Sequence, residues 1–189
     1  MRFSHFSLLA LSGLSIASPI VSKRADAISL LEDLYATVQT YTGAINATLA
    51  PLSPDSDILA KTAATAQVGS QINLITAAIT STTNEIKSLP PADTTTSPPT
   101  DAAELVEKRQ LGLTVGVLLS LIIVEIFATV TAAVAILGLG GLLVFLNPLT
   151  SALSLLIVTV QIVLDVVLLD VIVLLNALLT GLALGVSGL

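Results

Sequence analysis

Few side chains in this sequence are suited to chemistry. The 189 residues include no Cys, and the single His, His5, lies in an N-terminal stretch expected to be removed. Without that stretch the chain has no Ser-His-Asp triad, no Cys nucleophile and no ordinary zinc site. Disulfides are excluded as well. Carboxylates remain, and Asp165 and Asp170 are the nearest to an acid pair. On one continuous helix, at about 100° per residue, Asp165 shares a third of the circumference with Ser154, Gln161 and Asn176. Asp170 falls almost opposite, beside Thr159. Carboxylates on different sides of a helix do not serve one reaction centre. They read instead as sparse acids that wet one side of an apolar helix. Thr114, Glu125 and Thr129 form a similar seam earlier in the chain. No catalytic, cofactor-binding or metal-binding residue is assigned, and the chain reads as a non-enzyme.

A second group of residues points to processing. Met1 to Ala17 begins with Arg2, continues with the apolar run Phe6–Ile16, and ends with small residues at Ser15 and Ala17. This is the pattern of a secretory signal peptide cleaved after Ala17. Lys23-Arg24 then closes a short propeptide, residues 18–24, and a second dibasic pair stands at Lys108-Arg109. Both pairs sit at boundaries in composition, where a processing protease of the kexin type cuts. Lys108-Arg109 also suits a solvated helix end, where cations complement the C-terminal dipole. Asn46-Ala47-Thr48 is a glycosylation sequon in a secretory context.

The elements that carry these residues divide into two unlike halves. Apolar residues are 54 % of the chain and charged residues only 11 %, with a net charge of −6. Average soluble domains have about 25 % charged residues. An acidic balance argues against a nucleic-acid partner. Residues 25–109 hold ten acids and four bases, whereas residues 110–189 hold Glu125, Asp165 and Asp170 and no base.

In residues 25–89, Ile28, Leu31, Tyr35, Val38, Thr42, Ile45 and Leu49 recur at three- and four-residue steps. After the breaker Ala50–Asp55 and a cap at Ser56 or Asp57, the spacing resumes. It runs through Ile58, Thr65, Val68, Ile72, Ile75, Ile79, Thr82, Ile86 and Leu89, with Lys61 as the charged exception. The pattern predicts an amphipathic helical hairpin with little core of its own. Residues 90–109 read as a Pro/Thr-rich linker followed by a short helix ending at the dibasic site. Residues 110–189 predict two long helices, Leu113–Leu137 and Leu149–Leu179, with a short piece at Gly141–Leu146. Asn147-Pro148 is expected to end the run. The fold class is therefore all-α.

The apolar half admits two readings. Both runs exceed the roughly 20 apolar residues of a transmembrane span, and the alternative is an integral membrane protein of the secretory pathway with a hydrophobic hairpin. Against spanning, the cleaved signal leaves Lys108-Arg109 on the lumenal side, no base follows Arg109, and only Phe127 and Phe145 are aromatic in this half. The other reading is a secreted, surface-active half. Apolar surface on this scale self-associates, coats a hydrophobic solid, inserts in a lipid layer or spreads at an air–water interface. Cleavage at Arg109, releasing a hydrophobic peptide, is a further alternative.

The signal peptide, the Lys23-Arg24 site, the Thr/Ala-rich head, the junction Glu107-Lys108-Arg109-Gln110 and the Leu/Val/Gly-rich tail together resemble secreted fungal hyphal cell-wall structural proteins. Those proteins have a hydrophilic N-half and a hydrophobic C-half and work beside hydrophobins. Residues 26–89 resemble the hydrophobic-surface-binding proteins that fungi secrete. The resemblance implies an extracellular wall protein that gives hyphae surface hydrophobicity, adheres to hydrophobic surfaces and aids aerial growth. Its partners are then apolar surfaces, cell-wall components and copies of itself.

Overall fold

The computed structural model describes the backbone of residues 19–89, 102–164 and 168–187, and the side chains of 26–89, 106, 109–164 and 168–183. The signal segment with Ala17, the proline-rich stretch 90–101 and Asp165 lie outside the described residues, as do the side chains of Lys23, Arg24 and Lys108. The described residues form five helices and no strand: α1 Pro19–Leu49, α2 Ile58–Ser88, α3 Ala102–Leu137, α4 Leu139–Leu164 and α5 Leu169–Ser187.

The loop between α1 and α2 follows its sequence. Pro51 and Pro54 have no amide hydrogen to continue a helix. Asp57 caps α2, its carboxylate accepting from the Leu59 amide at 3.2 Å. Lys61, the charged exception in the α2 stripe, folds back to donate to the Pro54 carbonyl. Along α1 the buried positions are Ala27, Leu31, Leu34, Val38, Thr42, Ile45 and Leu49, with Ile28 and Tyr35 at the edge. Along α2 they run from Ala64 to Ile86. Ile58, expected in the stripe, is instead 81 % exposed. It sits in the first turn of α2, ahead of the buried positions.

The two halves do not stand apart. α1 packs on α2 and α3, and the most extensive contact in the fold is between α2 and α4. The stripes of the acidic half are thus buried against the apolar half, in one core that runs from Ala27 to Leu175. Each fully buried Leu, Ile or Val adds roughly 1.5–3 kcal/mol.

The apolar half divides differently from its sequence reading. α3 starts at Ala102 and runs without a break through Lys108 and Arg109, so the second dibasic pair lies within a helix. Gly138, at φ +86°, ends it, its amide donating to the Val134 carbonyl at 2.9 Å. A single residue therefore separates α3 from α4. Gly140 and Gly141 lie inside α4, and so does Pro148.

The expectation that Asn147-Pro148 ends a helix is overturned, and the reason is packing. A proline inside a helix costs about 3 kcal/mol. Leu142, Leu146, Leu149, Leu153 and Leu156 are buried on both sides of it and outweigh that cost. Val144, whose carbonyl loses its partner four residues on, is on the exposed side. The Thr150 and Ser151 hydroxyls each donate to the Asn147 carbonyl at 3.0 Å. The second expected helix, Leu149–Leu179, is in fact divided, with α4 ending at Leu164 and α5 starting at Leu169. No Gly or Pro marks that division in the sequence.

The α2–α4 contact is close because small residues face larger ones in both directions. A Cβ on Gly69 would overlap the ring of Phe145. In the other direction, a Cβ on Gly141 would lie 3.0 Å from the Thr65 methyl. Gly69→Val is expected to lower stability by about 1–3 kcal/mol, from overpacking against Phe145. Phe145→Ala in the same chain should recover part of that loss. Urea unfolding of the single and double variants measures both effects.

Candidate amphiphilic surface

What the apolar half leaves uncovered is ordered. On α3, Leu113, Val117, Leu121 and Val124 are exposed, Leu113 by 70 % and Val117 by 58 %. Their spacing of four, four and three residues lines one helical face. Ala128, Thr131 and Ala135 continue it, also exposed. Val115, Leu119, Ile122 and Ile126 lie on the opposite arc and are buried. On α4, Leu155, Val158 and Ile162 are exposed at steps of three and four. On α5, Leu169 and Val173 are exposed.

Part of this surface gathers at one place. Gly116 on α3 lies against Leu168, just before α5, and Val171 within it, a Cβ there falling 3.8 Å and 3.9 Å from their side chains. The exposed Leu113 and Val117 lie within one turn of Gly116. Leu169 and Val173 lie as close in the chain to Leu168 and Val171. Four of the exposed apolar side chains thus lie close in the chain to the α3–α5 contact.

Most of the exposed acids lie elsewhere. Asp26, Glu32, Asp33, Asp55, Asp57 and Glu85 are all exposed, and all belong to α1, α2 or their loop. In the apolar half, Asp170 is exposed in the first turn of α5, where a carboxylate complements the helix dipole. Because α4 and α5 are separate helices, the single helical wheel that set Asp170 opposite Asp165 does not apply. The polar residues of α3 are also not a uniformly wet seam. Thr114 is exposed, Glu125 half-buried and Thr129 buried. On α4, Thr159 is buried and Ser154 exposed.

Glu125 has a specific partner. Thr42, the one polar residue in the α1 stripe, donates its hydroxyl to Glu125 Oε1 at 2.6 Å. The two irregular positions answer each other across the α1–α3 contact. In the sequence each stands out only as a polar exception on an apolar face. The bond is directional and ties one position of α1 to one position of α3.

Of the processing residues, Lys23 and Arg24 lie in α1 and Lys108 and Arg109 in α3, with the Arg109 side chain exposed. Asn46 is exposed in the last turn of α1. Among the described residues no three His, Cys, Asp or Glu side chains are grouped to hold a metal ion. Two helical segments, Arg109–Leu137 and Leu139–Leu164, are long and apolar enough to cross a membrane by length and composition, and 44 % of each apolar window is buried within the fold. No protein-family model matches the chain, and no curated protein or solved structure is significantly similar to it.

Thr42→Val is expected to lower stability by about 1–2 kcal/mol, because it leaves the Glu125 carboxylate short of a donor. Glu125→Leu added to Thr42→Val should restore most of the loss. A double-mutant cycle by chemical unfolding reads the coupling directly.

Proposed function

We propose that this is a secreted, surface-active structural protein, which lodges its uncovered apolar face on a hydrophobic boundary and turns its acidic helices to water. The fungal hyphal wall is the setting implied by the plan of the chain, where such a protein gives the surface hydrophobicity and adhesion. One observation carries the reading: most of the large apolar side chains left exposed belong to α3, α4 and α5, with Ile58, Leu59 and Leu74 of α2 as exceptions, while the exposed acids of the described residues lie mostly on α1, α2 and their loop. Burying that face at an interface releases about 25 cal/mol for each Å² removed from water. The acidic side keeps the adsorbed layer wetted and resists stacking by like-charge repulsion. The leader-like first 17 residues, the Lys23-Arg24 pair and the exposed Asn46 sequon suit export.

The membrane reading has its own support in the two helical segments long enough to span. In that arrangement α1 and α2 would leave α3 and α4, and the stripes that now share one core would need other partners. The surface-active reading keeps those contacts. Alkaline carbonate extraction separates the two, since a spanning protein stays in the membrane pellet and a surface-active one is released.

Replacing Val117, Leu121 and Val124 together with Gln should leave helix content unchanged, because all three side chains are exposed. Adsorption onto alkylated silica from dilute solution should weaken at least about tenfold, as the apolar contact area is lost. A quartz microbalance gives the measurement, and adsorption equal to that of the parent chain would contradict the proposal.

A further inference from the structure

One cleft in the molecule is unconnected with the exposed face of α3. It lies where the N-terminal turns of α2 meet the end of α3 and the start of α4, and its volume is about 520 Å³. Cavities that hold small organic ligands span roughly 300–1,000 Å³. Its wall is apolar, formed by Ile58, Leu137, Val144 and Phe145. Ile58 and Val144 are large side chains left mainly in water, at 81 % and 67 % exposure. Burial under a ligand would remove both from solvent.

The polar side of this cleft is cationic. Lys61 lines it together with Thr62 and Thr65. Both Thr hydroxyls already donate to their own helix, at 2.8 Å to the Ile58 and Lys61 carbonyls. The Lys61 ammonium donates to the Pro54 carbonyl, a neutral acceptor, with Asp55 and Asp57 close by in the chain. An ammonium has three donors, so further acceptors can be taken. Asp57, one turn earlier, directs its carboxylate to the Leu59 amide as the helix cap. The cleft therefore combines an apolar wall with one cation that has donor capacity to spare.

We propose that this cleft binds a single-chain amphiphile with a carboxylate head, a fatty acid. The chain lies along Leu137, Val144 and Phe145 under Ile58, and the head pairs with Lys61. A neutral chain of the same length gains the apolar contacts and lacks the ion pair. This inference does not depend on adsorption through α3.

The test uses the full chain and dodecanoate with a ¹³C-labelled carboxyl, titrated by NMR below its micelle concentration, with dodecanol as the neutral control. The parent protein should bind one equivalent of dodecanoate saturably, more tightly than dodecanol. Lys61→Met should weaken dodecanoate about tenfold, the lower end of what a bond to a charged group supplies, and leave dodecanol unchanged. Ala66→Phe, at an exposed position lining the cleft, should weaken both ligands while circular dichroism shows the helices retained. The chain with Gln at 117, 121 and 124 should bind dodecanoate like the parent. Equal binding of dodecanoate by Lys61→Met and the parent would overturn the proposal. So would binding that Ala66→Phe leaves unchanged, or that the triple Gln variant abolishes.

Discussion

The fold depends on a mismatch of apolar supply. α1 and α2 each present one narrow apolar stripe, while α3, α4 and α5 are apolar around most of their circumference. Apolar surface removed from water is the main favourable term in folding. Both stripes of the N-terminal half are therefore used to cover the C-terminal half. They are not wide enough to cover all of it. Leu113, Val117, Leu121 and Val124 stay outside for that reason, with the exposed residues of α4 and α5. Monomeric soluble proteins rarely leave contiguous apolar surface of large extent, and where they do it marks an interaction site.

The contacts that hold the halves together are specific as well as greasy. Phe145 fits over Gly69, where any side chain would collide with the ring. Thr65 reaches toward Gly141 in the opposite direction. Thr42 and Glu125 add a directional bond between α1 and α3. Leu, Ile and Val alone would tolerate a sliding register between such uniform helices. A hydrogen bond to a half-buried carboxylate and a ring over a glycine do not. The same packing keeps α4 intact across Pro148, so tertiary burial sets the helix length where local propensity would have ended it.

Much of this was legible in the sequence. The all-α class followed from the three- and four-residue spacing and from run lengths too great for strands. The breaker at Pro51 and Pro54 and a cap at Ser56 or Asp57 were visible because each acts through its own backbone, whereas of the glycines at 138, 140 and 141 only Gly138 ends a helix. The limits of α4 were not, because the burial of Leu142, Leu146, Leu149 and Leu153 in the shared core is a long-range effect. The division between α4 and α5 has no local marker. Ile58 matched the stripe by spacing, yet spacing says nothing of where the partner helix begins. Among the site residues, Thr42 and Glu125 were each conspicuous as polar exceptions, and their pairing was hidden by 83 residues of separation. The exposed arc of α3 could not be told from its buried arc, since both are Leu, Val and Ile. The packing of α1, together with α2, α4 and α5, distinguishes them.

The central claim is that α3 has one arc covered by the N-terminal helices and one arc bare. The chain has no Cys, so cysteines introduced singly along α3 report without background. The most direct measurement is the rate at which each reacts with a water-soluble maleimide, in dilute solution without detergent. The account predicts fast reaction at positions 117, 121, 124 and 128 and slow reaction at 115, 119, 122 and 126. Uniform protection at all of these positions, as in a helix enclosed by lipid or by its own aggregate, would contradict it.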